Sequence, residues 1–394
     1  MLKLVDAPQT RRPALVCFSH LRWNFVYQRP QHLLSRAARH ADVFFFEEPI
    51  FDADQPRLDI DDGGQGVTVA VPHLPAGQPP ETAEAQQRAL LDEFLTTLNA
   101  PQLLFWYYTP MSLGFSAHVE PNICIYDCMD ELSAFRFASA QLLEREAALL
   151  ARTDVVFTGG RSLYEAKQHR HANVHCFPSS IDKAHFGAAR AFRREDEPDD
   201  QRGIPLRRAG YFGVIDERID MELLREAAER APDVQFVMIG PVVKIQMSDL
   251  VQAPNVHWLG PKPYSELPRY LAFWDCGIMP FALNESTRYI SPTKTPEFLA
   301  GGLPVVSTDI NDVRRPYGEA GLVAMAGDTA EFTDAIIRNI PMRGDEMRLK
   351  RVDRFLADKS WDQTFAQMLE VLARHGAELR AEPQAALAEG AERA

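Results

Sequence analysis

A lysine, two threonines and a glutamate lie within five positions in the second half of the chain. The segment reads Pro292-Thr-Lys-Thr-Pro-Glu297 and opens a predicted helix. The first turn of a helix has free backbone N–H groups and the positive end of the dipole, so it attracts anions. Lys294 adds a cation there, and Thr293 and Thr295 add hydroxyls. Because Glu297 can accept hydrogen bonds from hydroxyls, the segment predicts a ligand with both phosphate and hydroxyl groups, such as a nucleotide.

Two carboxylates follow an apolar strand in the first half of the chain. In the run Tyr126-Asp-Cys-Met-Asp-Glu131, Asp127 and Asp130 come at the end of the strand predicted over 123–126. In open α/β sheets, ligands bind beyond the carboxyl ends of the strands. A carboxylate there can act as the general base that takes a proton from an acceptor hydroxyl. The same acids can instead cap the following helix, and the sequence leaves both interpretations open.

The stretch 11–41 is basic, although the whole chain has a formal net charge of −13. It contains no acidic residue and six arginines, which are Arg11, Arg12, Arg22, Arg29, Arg36 and Arg39. The first predicted turn and helix lie here, so we assign four residues to the acceptor side of a cleft: His20, Arg22, Arg29 and His32. Arg29 or His32 could bind a phosphate at the helix start. Alternatively, the stretch contacts anionic lipid, where lipid-linked acceptors reside, or it is a solvated helix face.

The composition excludes several classes of protein. With 42 Lys and Arg against 55 Asp and Glu, general binding to nucleic acid is disfavoured, because phosphates must be neutralised by cations. No apolar run approaches the roughly 18 residues of a membrane helix, and the N-terminus lacks a signal-peptide pattern. The five cysteines are widely spaced without a C-x-x-C pair. We therefore expect a cytoplasmic protein without disulfides, with peripheral contact at the inner face of the membrane as one option.

Short apolar runs alternate with helical patterns along both halves of the chain. This alternation predicts mostly parallel sheets buried on both faces. A polar segment of mixed charge at 183–207 interrupts the pattern and predicts a linker. We therefore expect two doubly wound α/β, Rossmann-like domains that face each other across a cleft. The expected limits are 1–182 for the first domain, 183–207 for the linker, 208–359 for the second domain, 360–376 for a last helix, and 377–394 for a flexible tail.

Several segments together resemble glycosyltransferases of the GT-B fold, especially the large group of bacterial cell-envelope and polysaccharide sugar transferases. No single segment is specific, but their order and spacing are. In chain order the matching segments are Phe177-Pro-Ser-Ser-Ile-Asp182, Tyr211-Phe-Gly213, 256–264 followed by 266–271, Pro292-Thr-Lys-Thr-Pro-Glu297 with Gly301-Gly-Leu-Pro-Val-Val306, and Ser360-Trp361 with the helix after it.

The resemblance implies that the domain 208–359 binds a nucleoside-diphosphate sugar, expected to be UDP-linked, and that 1–182 is the acceptor-side domain. It also implies that the helix 360–376 crosses back to the first domain, and that the sugar passes to a hydroxyl of a glycan or glycolipid. It implies no cofactor and no bound metal. Glu297 would bind the ribose hydroxyls, and Lys294 with Arg218 the diphosphate. The implied donor-binding residues are Gly213, Arg218, Lys262, Pro263, Glu285, Thr293, Lys294, Thr295 and Glu297. The chain departs from the family pattern at Tyr289, where many members have a first glutamate, and acids crowd Arg218.

Other signals carry less weight. Asp52-Ala-Asp54 is a D-x-D pair, which in the other major glycosyltransferase fold holds a metal, but the acidic run 52–62 predicts a solvated loop. Cys124 and Cys128 lie at a strand, where we expect buried thiols rather than a zinc site. The glycine motifs of nicotinamide dehydrogenases and P-loop proteins are absent from the sequence. Two alternatives to a transferase stay open, a sugar-nucleotide epimerase of the same fold and a non-catalytic scaffold.

Overall fold

The computed structural model describes residues 11–135 and 138–379, and each half of the chain forms one sheet with helices on both faces. The first sheet has the strand order β3-β4-β2-β1-β5-β6-β7-β8. Its strands are β1 (Ala14–Phe18), β2 (Asp42–Phe46), β3 (Arg57–Asp62), β4 (Val67–His73), β5 (Leu103–Tyr107), β6 (Ile123–Cys128), β7 (Val155–Thr158) and β8 (Val174–Cys176). The central strand β1 is buried along its whole length, as its apolar sequence predicts.

All neighbouring strands of the first sheet are parallel except β3 and β4, which pair antiparallel at the edge. The prediction of a solvated loop over 52–62 is therefore wrong for Arg57–Asp62, which form β3. The sequence lacks the alternating apolar pattern of a strand here, because only Leu58 of β3 packs against the core and acidic side chains point to solvent at the sheet edge. The tip of this hairpin, 63–66, reaches the cleft described below through Gly63 and Gln65.

Helices cover both faces of the first sheet. They are α1 (Arg29–Ala37), α2 (Pro80–Thr97), α3 (Leu113–Ser116), α4 (Leu142–Arg152) and α5 (Arg161–Lys167). The start of α1 is fixed locally, because the Gln31 side chain accepts a hydrogen bond from the backbone N–H of Gln28 at 3.0 Å. Leu33 and Leu34 are fully buried against the sheet, so the position of α1 is set by packing.

The segment 183–207, predicted as a linker, contains two short helices, α6 (Lys183–Gly187) and α7 (Asp199–Arg202). It is packed against the second half of the chain, since Phe186 is fully buried in the second core. Gln201 accepts a hydrogen bond from the indole N–H of Trp274 at 2.7 Å. The polar composition is therefore explained by short helices that turn a few buried side chains inward.

The second sheet has the strand order β11-β10-β9-β12-β13-β14, and all of its pairs are parallel. Its strands are β9 (Arg208–Phe212), β10 (Gln235–Ile239), β11 (Val256–Trp258), β12 (Cys276–Met279), β13 (Val305–Thr308) and β14 (Val323–Ala326). Its helices are α8 (Met221–Arg230), α9 (Leu267–Leu271), α10 (Lys294–Ala300), α11 (Asn311–Val313), α12 (Thr329–Asn339) and α13 (Glu346–Leu356). The fold is thus two doubly wound sheets, as expected.

The last helix, α14 (Trp361–Arg374), returns to the first half of the chain. Trp361, Phe365 and Met368 are buried in the same core cluster as β1 and α1. Most of the predicted tail, 380–394, lies outside the described residues. Among the described residues, no helix has the length and apolar character needed to cross a bilayer.

Candidate active site

A cleft of about 470 Å³ opens where the carboxyl ends of the two sheets meet. The first half of the chain contributes Asp130, which follows β6, and the aromatic loop before α1. The second half contributes the loops after β9 and β10 and the start of α10. This is where an open α/β sheet binds ligands, so the cleft is the candidate site.

Two glycines let the loops of the second half approach each other closely. Gly213 follows β9 with φ +142°, and a Cβ there would overlap the side chain of Lys294. Gly240 follows β10 with φ +148°, and a Cβ there would overlap the carbonyl oxygen of Gly213. Both backbone angles favour glycine. The result is that Lys294 lies directly against the turn after β9, as one wall of the cleft.

Glu297 and Lys294 lie at the start of α10 and both line the cleft. Burial raises the pKa of Glu297 to about 7, although the Lys294 ammonium opposes this rise. Burial lowers the pKa of Lys294, and Glu297 opposes that change. Glu297 is 5% exposed and its Oε2 atom has no hydrogen-bond partner within the described chain. A buried acceptor without a donor is costly, so this atom is suited to hydroxyls supplied by a ligand.

Arg218 lines the cleft but already has a strong partner. Its Nε and Nη2 atoms donate to the two carboxylate oxygens of Asp216 at 2.9 and 2.7 Å. The pKa of Arg218 is raised despite its burial, because of the Asp216 carboxylate. The acids that crowd Arg218 in the sequence therefore include one that neutralises much of its charge.

Asp130 faces these cations from the first half of the chain. Burial raises the pKa of Asp130 to about 6, although nearby cations, Arg218 foremost, lower it. A carboxylate with a pKa close to neutrality and a position in the cleft can accept a proton from a bound hydroxyl.

Asp127, the other acid of the pair, is fully buried and bound to Arg29. Arg29 donates from Nε at 3.0 Å and from Nη2 at 2.9 Å, and its Nη1 donates to the carbonyl of Phe177. The two side chains are 0% and 3% exposed. Arg29 thus ties together β6, α1 and the segment after β8, and Asp127 holds it there.

The remaining donor-side candidates separate into two groups. Lys262, Pro263 and Thr293 line the cleft, and the Lys262 ammonium is paired with Asp200 at 2.7 Å. Glu285 is 73% exposed beside Arg288, outside the cleft lining. Thr295 is fully buried, and its hydroxyl lies 3.4 Å from the sulfur of Met279. The helix geometry explains why Thr293 and Thr295 differ. Positions 293, 294 and 297 share the face of α10 toward the cleft, whereas position 295 points into the core.

Five of the six arginines of the basic stretch form ion pairs with acidic residues from other parts of the chain. The ion pairs are Arg12 with Asp42, Arg22 with Glu47, Arg29 with Asp127, and both Arg36 and Arg39 with Asp362. Arg11 is exposed. Only Arg29 among the four acceptor-side candidates lines the cleft.

The two histidines assigned to the acceptor side are neutral. The pKa of His20 is lowered to about 4, by burial and by the Lys244 ammonium. Burial, with a smaller contribution from Arg36, lowers the pKa of His32 to about 3. The His32 ring stacks on Trp361 at 4.6 Å and is 3% exposed, so it packs α1 against α14.

Aromatic and polar contacts join the two halves across the cleft. The rings of Tyr27 and Tyr264 stack with their centroids 4.5 Å apart. The Ser179 hydroxyl donates to the carbonyl of Ser291 at 2.8 Å. Asp312 accepts a hydrogen bond from the backbone N–H of Ser162 at 3.0 Å. The walls of the cleft are therefore held in contact on several sides.

The D-x-D pair and the two strand cysteines lie outside the cleft lining. Asp52 is paired with His73 at 2.6 Å, away from the cleft lining. Cys124 and Cys128 are buried free thiols, as expected. Within residues 11–135 and 138–379, no group of three or more His, Cys, Asp or Glu side chains is arranged to hold a metal ion.

Sequence reasoning missed Lys244 and Phe135. Lys244 lies in the loop after β10, and its ammonium is 5.0 Å from the ring centroid of Phe135. The same ring lies 5.5 Å from the guanidinium carbon of Arg218. The available signal was that β9 and β10 are consecutive predicted strands, so the loops after them lie at one edge.

Known proteins are similar to this chain in sequence and in architecture. Residues 207–340 match the family model described as "Glycosyl transferases group 1". A Bacillus subtilis (strain 168) protein described as a teichuronic acid biosynthesis glycosyltransferase, TuaH, is 25% identical over 299 residues, covering 71% of this chain and 75% of the relative.

Two solved structures show the fold. Sucrose-phosphate synthase from Thermosynechococcus elongatus matches with a TM-score of 0.70 and 15% identity, over 92% of this chain and 99% of that one. Anabaena HepE, solved in complex with UDP, matches with a TM-score of 0.65 and 14% identity, over 92% and 100%. The fold is therefore that of the GT-B glycosyltransferases, and the second half of the chain contains a glycosyltransferase group 1 domain over residues 207–340. This finding favours transfer over the epimerase and scaffold alternatives.

Proposed function

We propose that the protein transfers a sugar from a UDP-linked sugar donor to a hydroxyl of a glycan or glycolipid, with UDP as the leaving group. The observation that carries this proposal is the buried Oε2 atom of Glu297, which has no hydrogen-bond partner among the described residues. Glu297 is the fourth residue of α10 and lines the cleft beside Lys294. The hydroxyls of a ribose can donate hydrogen bonds to the Oε2 atom of Glu297, and a diphosphate supplies the negative charge that Lys294 attracts.

Two relatives support the choice of substrates. HepE has been solved with UDP and with UDP and glucose, which favours UDP as the nucleotide of the donor. TuaH is described as a teichuronic acid biosynthesis glycosyltransferase, which favours a polysaccharide acceptor. A cytoplasmic location and a lipid-linked acceptor at the inner face of the membrane remain part of this proposal.

The mechanism follows from the charges around the cleft. The bond between the anomeric carbon and the diphosphate oxygen breaks, and the acceptor oxygen bonds to that carbon. Lys294 and Arg218 stabilise the negative charge on the departing UDP by preorganised electrostatics. Asp130 takes the proton of the acceptor hydroxyl, because it combines a raised pKa with a place in the cleft opposite these cations.

The test is release of UDP from a panel of UDP-sugars, with soluble glycans and lipid-linked sugars as acceptors. Asp130→Asn should lower kcat by about 10²- to 10⁴-fold, the usual contribution of a general base, while UDP affinity stays within a few-fold. Turnover should persist in EDTA, and the control Asp52→Ala with Asp54→Ala should stay active. Full activity of Asp130→Asn removes the base assignment, and loss of turnover in EDTA that manganese restores indicates a metal-dependent mechanism.

A further inference from the structure

Lys244 has an unusual backbone and an unpaired charge. Its φ is +63°, in the left-handed region that non-glycine residues adopt at an energetic cost, and such strain clusters at functional sites. The side chain is exposed. Across the part of the chain that the structure describes, no carboxylate lies within ion-pair distance of the Lys244 ammonium. A strained loop therefore presents a cation that no carboxylate of the described residues pairs.

Lys244 does not itself line the cleft, but its contacts connect its charge to residues that do. The centroid of the Phe135 ring, from the loop after β6, lies 5.0 Å from the Lys244 ammonium and 5.5 Å from the Arg218 guanidinium carbon. The field of Lys244 also reaches Asp130, whose pKa it lowers, and Asp130 lines the cleft. Lys244 therefore belongs to the same group of charges as Arg218, although it lies on a different loop.

The cations assigned so far are already compensated by carboxylates. Arg218 is held by Asp216 through two hydrogen bonds, and Lys294 faces Glu297. A diphosphate brings at least two negative charges into a site that also contains Asp130. With Arg218 and Lys294 alone, like-charge repulsion offsets much of the attraction. A further cation would offset this repulsion, and Lys244, beside Phe135 and Arg218, can supply it.

We propose that Lys244 binds the diphosphate of the donor, supplying from the loop after β10 the charge that Asp216 compensates on Arg218. Phe135 is the positioning residue, because its ring holds both cations from the opposite half of the chain. This inference rests on the proposed donor, and it adds a binding residue outside the helix-start segment 292–297.

The variant Lys244→Asn removes the charge while keeping a residue that tolerates the left-handed conformation. Calorimetry with UDP, UMP, uridine and inorganic pyrophosphate then reports the role of charge. We expect about a tenfold or greater loss of UDP and pyrophosphate affinity, a smaller loss for UMP, and unchanged binding of uridine. Lys244→Arg should retain most of the affinity. The control Lys350→Asn, at a 69% exposed lysine on α13, should change none of these values.

Phe135→Leu separates positioning from direct binding. Leucine keeps apolar bulk but removes the ring face that attracts cations, so we expect a smaller loss of UDP affinity than for Lys244→Asn. Combined with Lys244→Asn it should add little, because both changes act on the same contact.

Each remaining outcome overturns a defined statement. Unchanged UDP and pyrophosphate affinity in Lys244→Asn refutes the inference. An equal loss for uridine means that the loop is merely structural, which also refutes it. If the wild type binds pyrophosphate but not UDP, the proposed nucleotide is wrong while Lys244 is still tested by pyrophosphate. If the wild type binds none of the four probes, the proposed donor and this inference both fail.

Discussion

The basic stretch 11–41 and the donor segment 292–297 are both clusters of charged residues in the sequence, but they differ in whether the folded chain supplies partners for their polar atoms. In the basic stretch, arginines find carboxylates that are distant in sequence, such as Asp127 for Arg29 and Asp362 for Arg36. In the donor segment, Glu297 lines the cleft, and within 11–135 and 138–379 its Oε2 atom has no hydrogen-bond partner. A run of like charge is therefore weak evidence of a binding surface, whereas a buried polar atom left unpaired at a cleft is strong evidence.

The largest effect should come from breaking the buried pair in the basic stretch. Asp127→Asn leaves the Arg29 guanidinium buried without its counter-charge, so we expect a loss of about 3–5 kcal/mol in the free energy of unfolding. Urea denaturation measures it. The control Arg39→Ala removes an exposed pair and should cost less than about 1 kcal/mol. Equal losses in both variants would mean that burial does not distinguish these pairs.

The next effect concerns ligand binding in the donor segment. Glu297→Gln and Lys294→Ala should each weaken UDP binding by about 1.5–3 kcal/mol, the range of hydrogen bonds to charged groups, without unfolding the protein. Isothermal calorimetry measures the affinities, and Glu285→Gln, at an exposed carboxylate outside the cleft lining, is the matched control. If both variants bind UDP as the wild type does, the donor lies elsewhere.

A smaller effect is the pH dependence of this contact. The pKa of Glu297 is about 7, raised by burial, so protons compete with ribose hydroxyls below that pH. Uridine affinity should rise as the pH increases from about 6 to 8, by at most about tenfold per pH unit, and Glu297→Gln should flatten the profile. Because this pKa is raised in the folded state, Glu297 also makes the unliganded fold less stable as the pH rises from about 4.5 to 7. A flat wild-type profile would contradict the assignment.

The smallest effect should be at membranes. Because five of the six arginines are paired, we expect only weak sedimentation of the wild type with anionic liposomes at low salt. Screening shortens to about 8 Å at physiological ionic strength and should abolish it. Arg11→Glu with Arg39→Glu, at two exposed positions, should remove the residual binding without changing UDP affinity. Tight sedimentation that resists salt would mean that charge pairing underestimates this surface.

The parts of the molecule that were predictable are those encoded locally. Short apolar runs gave the parallel strands, and the segment 292–297 places its cation and carboxylate at one helix start because they are three residues apart. The edge strand β3 was not predicted, because Leu58 is its one side chain packed against the core and acidic residues surround it in the sequence. The pair of Arg29 and Asp127 joins positions 98 residues apart, and no local pattern encodes such a contact. The inward turn of Thr295 depends on the exact start of α10, where sequence patterns are imprecise.

The central claim is that the cleft binds a uridine diphosphate through Glu297 and Lys294. Thermal unfolding of the wild-type protein with UDP, ADP, GDP and dTDP tests it most directly. A nucleotide present at a hundred times its dissociation constant stabilises the folded state by about 2.7 kcal/mol. We predict that UDP raises the midpoint most and that Glu297→Gln needs more UDP for the same shift. A midpoint that none of the four nucleotides moves would contradict the account.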